Sequence, residues 1–113
     1  MPHIVIEHSA LKNLKTEVGT LLDAVFEAAE ESGLFDADDI KARAIEYAHH
    51  RNGRANYSFI HADIKIMPGR SSQQKSDLAG RVLKKLRALK FETCLTTVEV
   101  TDIASEHYVK AMG

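Results

Sequence analysis

The chain has 113 residues, 44% of them hydrophobic, and 15 basic against 16 acidic side chains leave a net charge of −1. That length supports one core and is short for two, so residues 1–113 are expected to form a single domain. Near-neutral charge removes any general attraction to nucleic acid or an anionic membrane, and no apolar run approaches the roughly 18 residues of a spanning helix.

Pro2 follows the initiator methionine and precedes Ile4-Val5-Ile6, which reads as a buried strand. If Met1 is removed, Pro2 becomes a secondary amine at a strand start. An α-amino group titrates at about 7.7–8.0, and burial disfavours its cation, so such an amine can serve as a base near neutral pH. Leu11, Leu14, Val18, Leu21, Leu22, Val25 and Ala29 then recur at helical spacing, and Gly33 ends the helix. A turn over Phe35–Asp39 leads to a strand from Ile40 to Ala48, with Arg43, Ile45 and Tyr47 on one face, and Asn52-Gly53 marks a loop. The first β-α-β unit thus covers about residues 2–48.

The second unit, about residues 55–103, opens with a strand from Tyr57 to Met67. Ile60, Ala62, Ile64 and Ile66 alternate there with Phe59, His61, Asp63 and Lys65. Pro68-Gly69 stops it, and the Ser71 to Gln74 spacing matches a capping box for the next helix. Leu78, Val82, Leu83, Leu86 and Leu89 form that helix's apolar stripe, and a Thr- and Val-rich strand follows from about Leu95 to Ile103. The segment 104–113 has no clear period. Ile4-x-Ile6 with Leu14-x-x-x-Val18 echoes Ile64-x-Ile66 with Leu78-x-x-x-Val82. Crossovers of this length make each pair of strands parallel, in an α/β (α+β) fold. Periodicity alone leaves open a ferredoxin-like sheet and a duplicated β-α-β sheet.

Arg70 lies on the short connection between strand and capped helix, and its planar fork suits paired hydrogen bonds to a carboxylate. A solvated loop arginine is the plain alternative. Together, Pro2-His3, Tyr57-Ser58-Phe59-Ile60-His61 and Lys65-Ile66-x-x-Gly69-Arg70-Ser71 resemble 5-carboxymethyl-2-hydroxymuconate Δ-isomerases of the tautomerase superfamily, from Pro2 to roughly Val100. The second unit also looks like the opening of the short 4-oxalocrotonate tautomerase chain.

The resemblance implies tandem β-α-β units in a four-stranded mixed sheet backed by two helices, assembled as a homotrimer. It implies an enzyme that needs no cofactor and acts on a small unsaturated 2-hydroxy or 2-oxo carboxylate from aromatic breakdown. Pro2 matches the family's acid/base and Arg70 its carboxylate-holding arginine. Relatives show Arg-x-Arg in the second strand where this chain has Lys41-Ala42-Arg43, so Lys41 or Arg43 is expected to complete the cationic clamp. Relatives often continue further after the last strand, and Tyr108 and Val109 are candidates to pack on a neighbouring subunit.

Rival readings are a related decarboxylase or hydratase using the same proline, or a non-enzymatic trimeric interaction protein if Met1 is retained and the proline nitrogen stays an amide. Cys94, the only cysteine, has no partner for a disulfide, fits a reducing cytosol, and reads as a small buried hydrophobe. With no leader-like N-terminus, a cytoplasmic location is expected. The six histidines, including His3, His8 and the adjacent His49-His50, are not spaced for a metal; His61 reads as a polar strand residue near the subunit seam. Arg81, Lys84, Lys85, Arg87 and Lys90 read as a solvated helix face rather than a nucleic-acid surface.

Overall fold

The computed structural model describes residues 1–11 and 18–113. Its elements are strand β1 (His3–His8), helix α1 (Val18–Glu31), strands β2 (Lys41–Glu46) and β3 (Ser58–Ile66), helix α2 (Ser72–Arg87) and strand β4 (Cys94–Asp102). They form one four-stranded sheet in the order β2-β1-β3-β4. Within each unit the strands are parallel, β1 with β2 and β3 with β4. The units join through the antiparallel pair β1–β3, with His3 opposite Lys65 and His8 opposite Ile60. This is the duplicated β-α-β arrangement.

Strand alternation divides the sheet into two faces. Ile4, Ile6, Ile60, Ala62, Ile64 and Ile66 are buried on one, against Leu21, Val25 and Ala28 of α1 and Leu78, Val82 and Leu86 of α2. Each large side chain removed from water there contributes about 1.5–3 kcal/mol. The other face carries His3, Val5, Glu7, Lys41, Arg43, Ile45, His61, Asp63, Lys65, Leu95, Thr97 and Glu99, and neither α1 nor α2 packs on it. Ile45 is 52% exposed and Leu95 49%.

The turns are set by local chemistry. Gly33, at φ +74°, ends α1 in the left-handed conformation that favours glycine. A 3₁₀ turn over Ala37–Asp39 redirects the chain into β2. Ser71 caps α2 as the spacing predicts: its hydroxyl accepts from the Gln74 N–H at 3.1 Å, and the Ser71 N–H donates to the Gln74 side chain at 2.8 Å. Leu14, assigned above to the first helix, lies outside the described residues.

Several boundaries differ from the sequence reading. Strand β2 ends at Glu46, because the Tyr47 N–H makes a last bond to the His8 carbonyl at 2.8 Å where β1 itself ends. Tyr57 and Met67 fall just outside β3. The closing segment contains a 3₁₀ turn at Ser105–His107, after which Tyr108 packs on His3 of its own chain; Val109 is exposed. On the basic helix face, Lys85 reaches Glu27 and Glu31 of α1, and Arg81 pairs with Asp77. No helix is long and apolar enough to cross a membrane among the described residues.

Candidate active site

Topology gathers the sequence-derived candidates at one end of the sheet. Strands β1 and β2 start there and antiparallel β3 finishes there, so Pro2, Lys41 and the Gly69-Arg70-Ser71 turn share that end. Pro2 is fully buried at the start of β1, where its missing N–H costs no ladder bond, and its carbonyl accepts from the Lys41 N–H at 3.0 Å.

Two cations converge beside it. The Met1 ammonium and the Lys41 ammonium each donate to the Asp39 carbonyl at 2.9 Å. Burial, and then the Lys41 charge, lower the Met1 amine below its ordinary value of 8.0. While Met1 is attached, the Pro2 nitrogen is an amide and holds no basic lone pair.

Arg43 stands two residues along β2, opposite Val5. Its Nη1 lies 3.2 Å from His3 Nδ1, and His3 Nε2 lies 3.0 Å from the Tyr108 hydroxyl. Partial burial, then Arg43 and Lys41, push His3 below the usual histidine value of 6.5. Lys65 adds charge from across β1. The open face is therefore strongly cationic at this end.

Arg70 is held differently. Its Nη2 donates to the Leu34 carbonyl at 2.6 Å, and its guanidinium lies 5.8 Å from the centre of the Phe35 ring. Its Nε is buried without a partner among the described residues. The structure thus links Pro2 to Lys41 and places Arg43 on the neighbouring His3, whereas no hydrogen bond among the described residues joins Arg70 to these three. Beside Arg70 lies a cavity of about 290 Å³ lined by Ser32, Leu34, Ser71, Gln73, Gln74 and Asp77.

Sequence reading missed two members of this cluster. His3 enters the sequence reading only within the Pro2-His3 motif and among the histidines not spaced for a metal; the β1–β2 register puts it on the face of Lys41 and Arg43. Tyr108 is read from the sequence only as a candidate for subunit packing, because only the return of the chain after β4 brings it to His3. Elsewhere, burial raises the Cys94 thiol above its ordinary value, which opposes nucleophilic use. His61 stands between Thr97, at 2.7 Å, and Glu99, at 3.2 Å. No group of three or more His, Cys, Asp or Glu side chains among the described residues could hold a metal ion.

A larger cavity, about 460 Å³, sits at the opposite end of the sheet, lined by residues that include Ala10, His50, Tyr57, Glu92 and Thr93. It contains neither the terminal amine nor the converging cations. Volume alone does not move the candidate site there.

Known proteins bear on this geometry. The family model for 5-carboxymethyl-2-hydroxymuconate isomerase matches residues 2–109. Among solved structures, such an isomerase from Deinococcus radiodurans R1 superimposes with a TM-score of 0.82 at 18% identity, covering 99% of this chain and 90% of that one. A 5-carboxymethyl-2-hydroxymuconate delta-isomerase gives 0.80 at 19% identity, over 100% of this chain and 89% of that one. The fused 4-OT symmetric trimer Q0 gives 0.79 at 17% identity, over 98% and 93%. At these identities the superpositions establish the fold, which is that of the tautomerases. No curated protein sequence is matched.

Proposed function

Because the chain belongs to the 5-carboxymethyl-2-hydroxymuconate isomerase family, we propose that it is a cofactor-independent isomerase of small unsaturated 2-hydroxy or 2-oxo dicarboxylates from aromatic catabolism. The observation that carries this reading is Pro2 itself, buried at a strand start beside Lys41 and inside the matched segment.

Removal of Met1 turns the Pro2 nitrogen into a secondary amine. Burial and the Lys41 charge, which already lower the Met1 amine, act on the new terminus in the same direction and favour its neutral, proton-accepting form. The amine takes the proton of the 2-hydroxyl group as the O–H electrons close the 2-oxo group. The conjugated double bonds shift, and the proton returns to the distal carbon. Arg70 supplies a fork for one carboxylate, and Lys41 and Arg43 supply charge for the developing enolate and the second carboxylate.

The same reading makes the protein a homotrimer built through the open sheet face. Exposed Ile45 and Leu95, together with a buried and unpaired Asp63 Oδ1 on that face, suit a surface that meets another chain. The trimeric description of the Q0 relative points the same way.

Intact mass and substrate turnover test the function together. The expected result is loss of one methionine and isomerisation of a 2-hydroxymuconate-type acid. A processed protein that leaves such acids unchanged would overturn the reading, and turnover of a decarboxylation or hydration substrate instead would reassign the reaction. Retention of Met1 in the native protein would favour a non-enzymatic interaction role.

A further inference from the structure

The contacts of His3 fix more than its position. A guanidinium carries only hydrogens, so where Arg43 Nη1 approaches His3 Nδ1 at 3.2 Å, the ring nitrogen must accept. Neutral imidazole has one N–H, and it then resides on Nε2. That hydrogen points to the Tyr108 oxygen 3.0 Å away, which becomes the acceptor. The Tyr108 O–H is left without an acceptor of its own among the described residues.

The surroundings of this unused donor are cationic. Lys41, Arg43, Lys65 and the chain's own amino terminus all act on His3, and Lys110, two residues beyond Tyr108, acts on that terminus. Asp63, on the same face, is turned toward Lys65 at 3.8 Å. A free hydroxyl hydrogen inside a group of positive charges is matched by an anionic oxygen.

We propose that Tyr108 is a substrate-binding residue: oriented by the Arg43–His3 pair, its hydroxyl donates a hydrogen bond to a carboxylate oxygen of a dicarboxylate bound beside Pro2. The proposal rests on the isomerase reading for the identity of the substrate and on the Arg43–His3–Tyr108 geometry for the contact. His3 acts as a positioning residue, setting the direction of the Tyr108 proton, and Arg43 fixes the His3 tautomer in addition to the charge it supplies to the substrate.

Two measurements decide it. The first is the ¹⁵N spectrum of His3 above pH 7 in the full chain, where the Nε2–H tautomer is expected and the Nδ1–H tautomer would overturn the relay. The second is calorimetric binding of muconate dianion to wild type and to Tyr108→Phe, which keeps the ring that packs on His3. The expected loss of affinity is about tenfold, in line with one hydrogen bond to a charged group. In turnover the same variant is expected to raise KM about tenfold with kcat little changed. Equal affinity, or no binding to wild type, would overturn the proposal; so would a fall in kcat with KM unchanged. Wild type that binds muconate with the expected Tyr108 dependence but isomerises nothing would refute the isomerase reading and leave this contact standing.

Discussion

At one end of the antiparallel β1–β3 pair Pro2 leads into β1 and β3 runs out into the Gly69-Arg70-Ser71 turn; at the opposite end β1 leaves through His8-Ser9 and β3 enters at Ser58. Both ends come from the same duplicated unit, yet their polar groups are used differently. Around Ser9 they satisfy one another. The Ser9 N–H donates to the Phe59 carbonyl at 3.1 Å, the Ser9 hydroxyl accepts from the Phe59 N–H at 2.9 Å, and buried His8 lies 2.8 Å from the Ser9 carbonyl. Around Pro2, cations converge: Lys41 and the terminus share one carbonyl, and Arg43 faces a histidine. Duplication supplies the scaffold twice, and under the proposed function only the copy that carries the chain terminus has a base.

Substitutions at the two ends should therefore separate activity from stability. Pro2→Ala removes the secondary amine and is expected to lower kcat by about 10²–10⁴, the usual contribution of a positioned acid/base, with the melting temperature little changed. Arg70→Ala should raise KM for a dicarboxylate at least tenfold. It should also lower stability by about 1.5–3 kcal/mol, because the charged bond to the Leu34 carbonyl is lost. Denaturant unfolding and steady-state kinetics on the same preparation separate the two effects. At the other end, Ser9→Ala leaves the Phe59 N–H without its partner; a cost of about 1–3 kcal/mol with kcat/KM unchanged is expected. Loss of turnover in that variant would break the division between the ends.

The smallest effect is in pH dependence. His3 is held below 6.5 in the folded chain, so between 6.5 and its folded value the unfolded chain binds more protons. Its contribution to stability is complete above about pH 6.5, falls as pH drops, and is gone below the folded value. Comparing His3→Gln with wild type from pH 7 to 5 isolates that slope; equal slopes would mean that His3 titrates normally.

Much of the fold was legible in the sequence, because burial writes itself into periodicity. Ile60, Ala62, Ile64 and Ile66 at period two, Leu78, Val82 and Leu86 at helical spacing, and the Ser71–Gln74 cap each occupy the expected place. The choice between sheet topologies was not legible from pattern, since it depends on which strand edges pair. The site divides along the same line. Arg70 stands out on a short anchored turn, whereas its grip on Leu34 and Phe35 depends on where α1 ends in space. Tyr108 lies 105 positions from His3 and meets it only after β4 has returned the chain to β1.

The central claim is that the free amine of Pro2 performs the chemistry, and the most direct measurement is kcat/KM on a 2-hydroxymuconate-type acid for the processed chain against the same chain retaining Met1. The account predicts at least a hundredfold advantage for the processed chain, because an amide nitrogen cannot accept the proton. Equal rates for the two forms would contradict it.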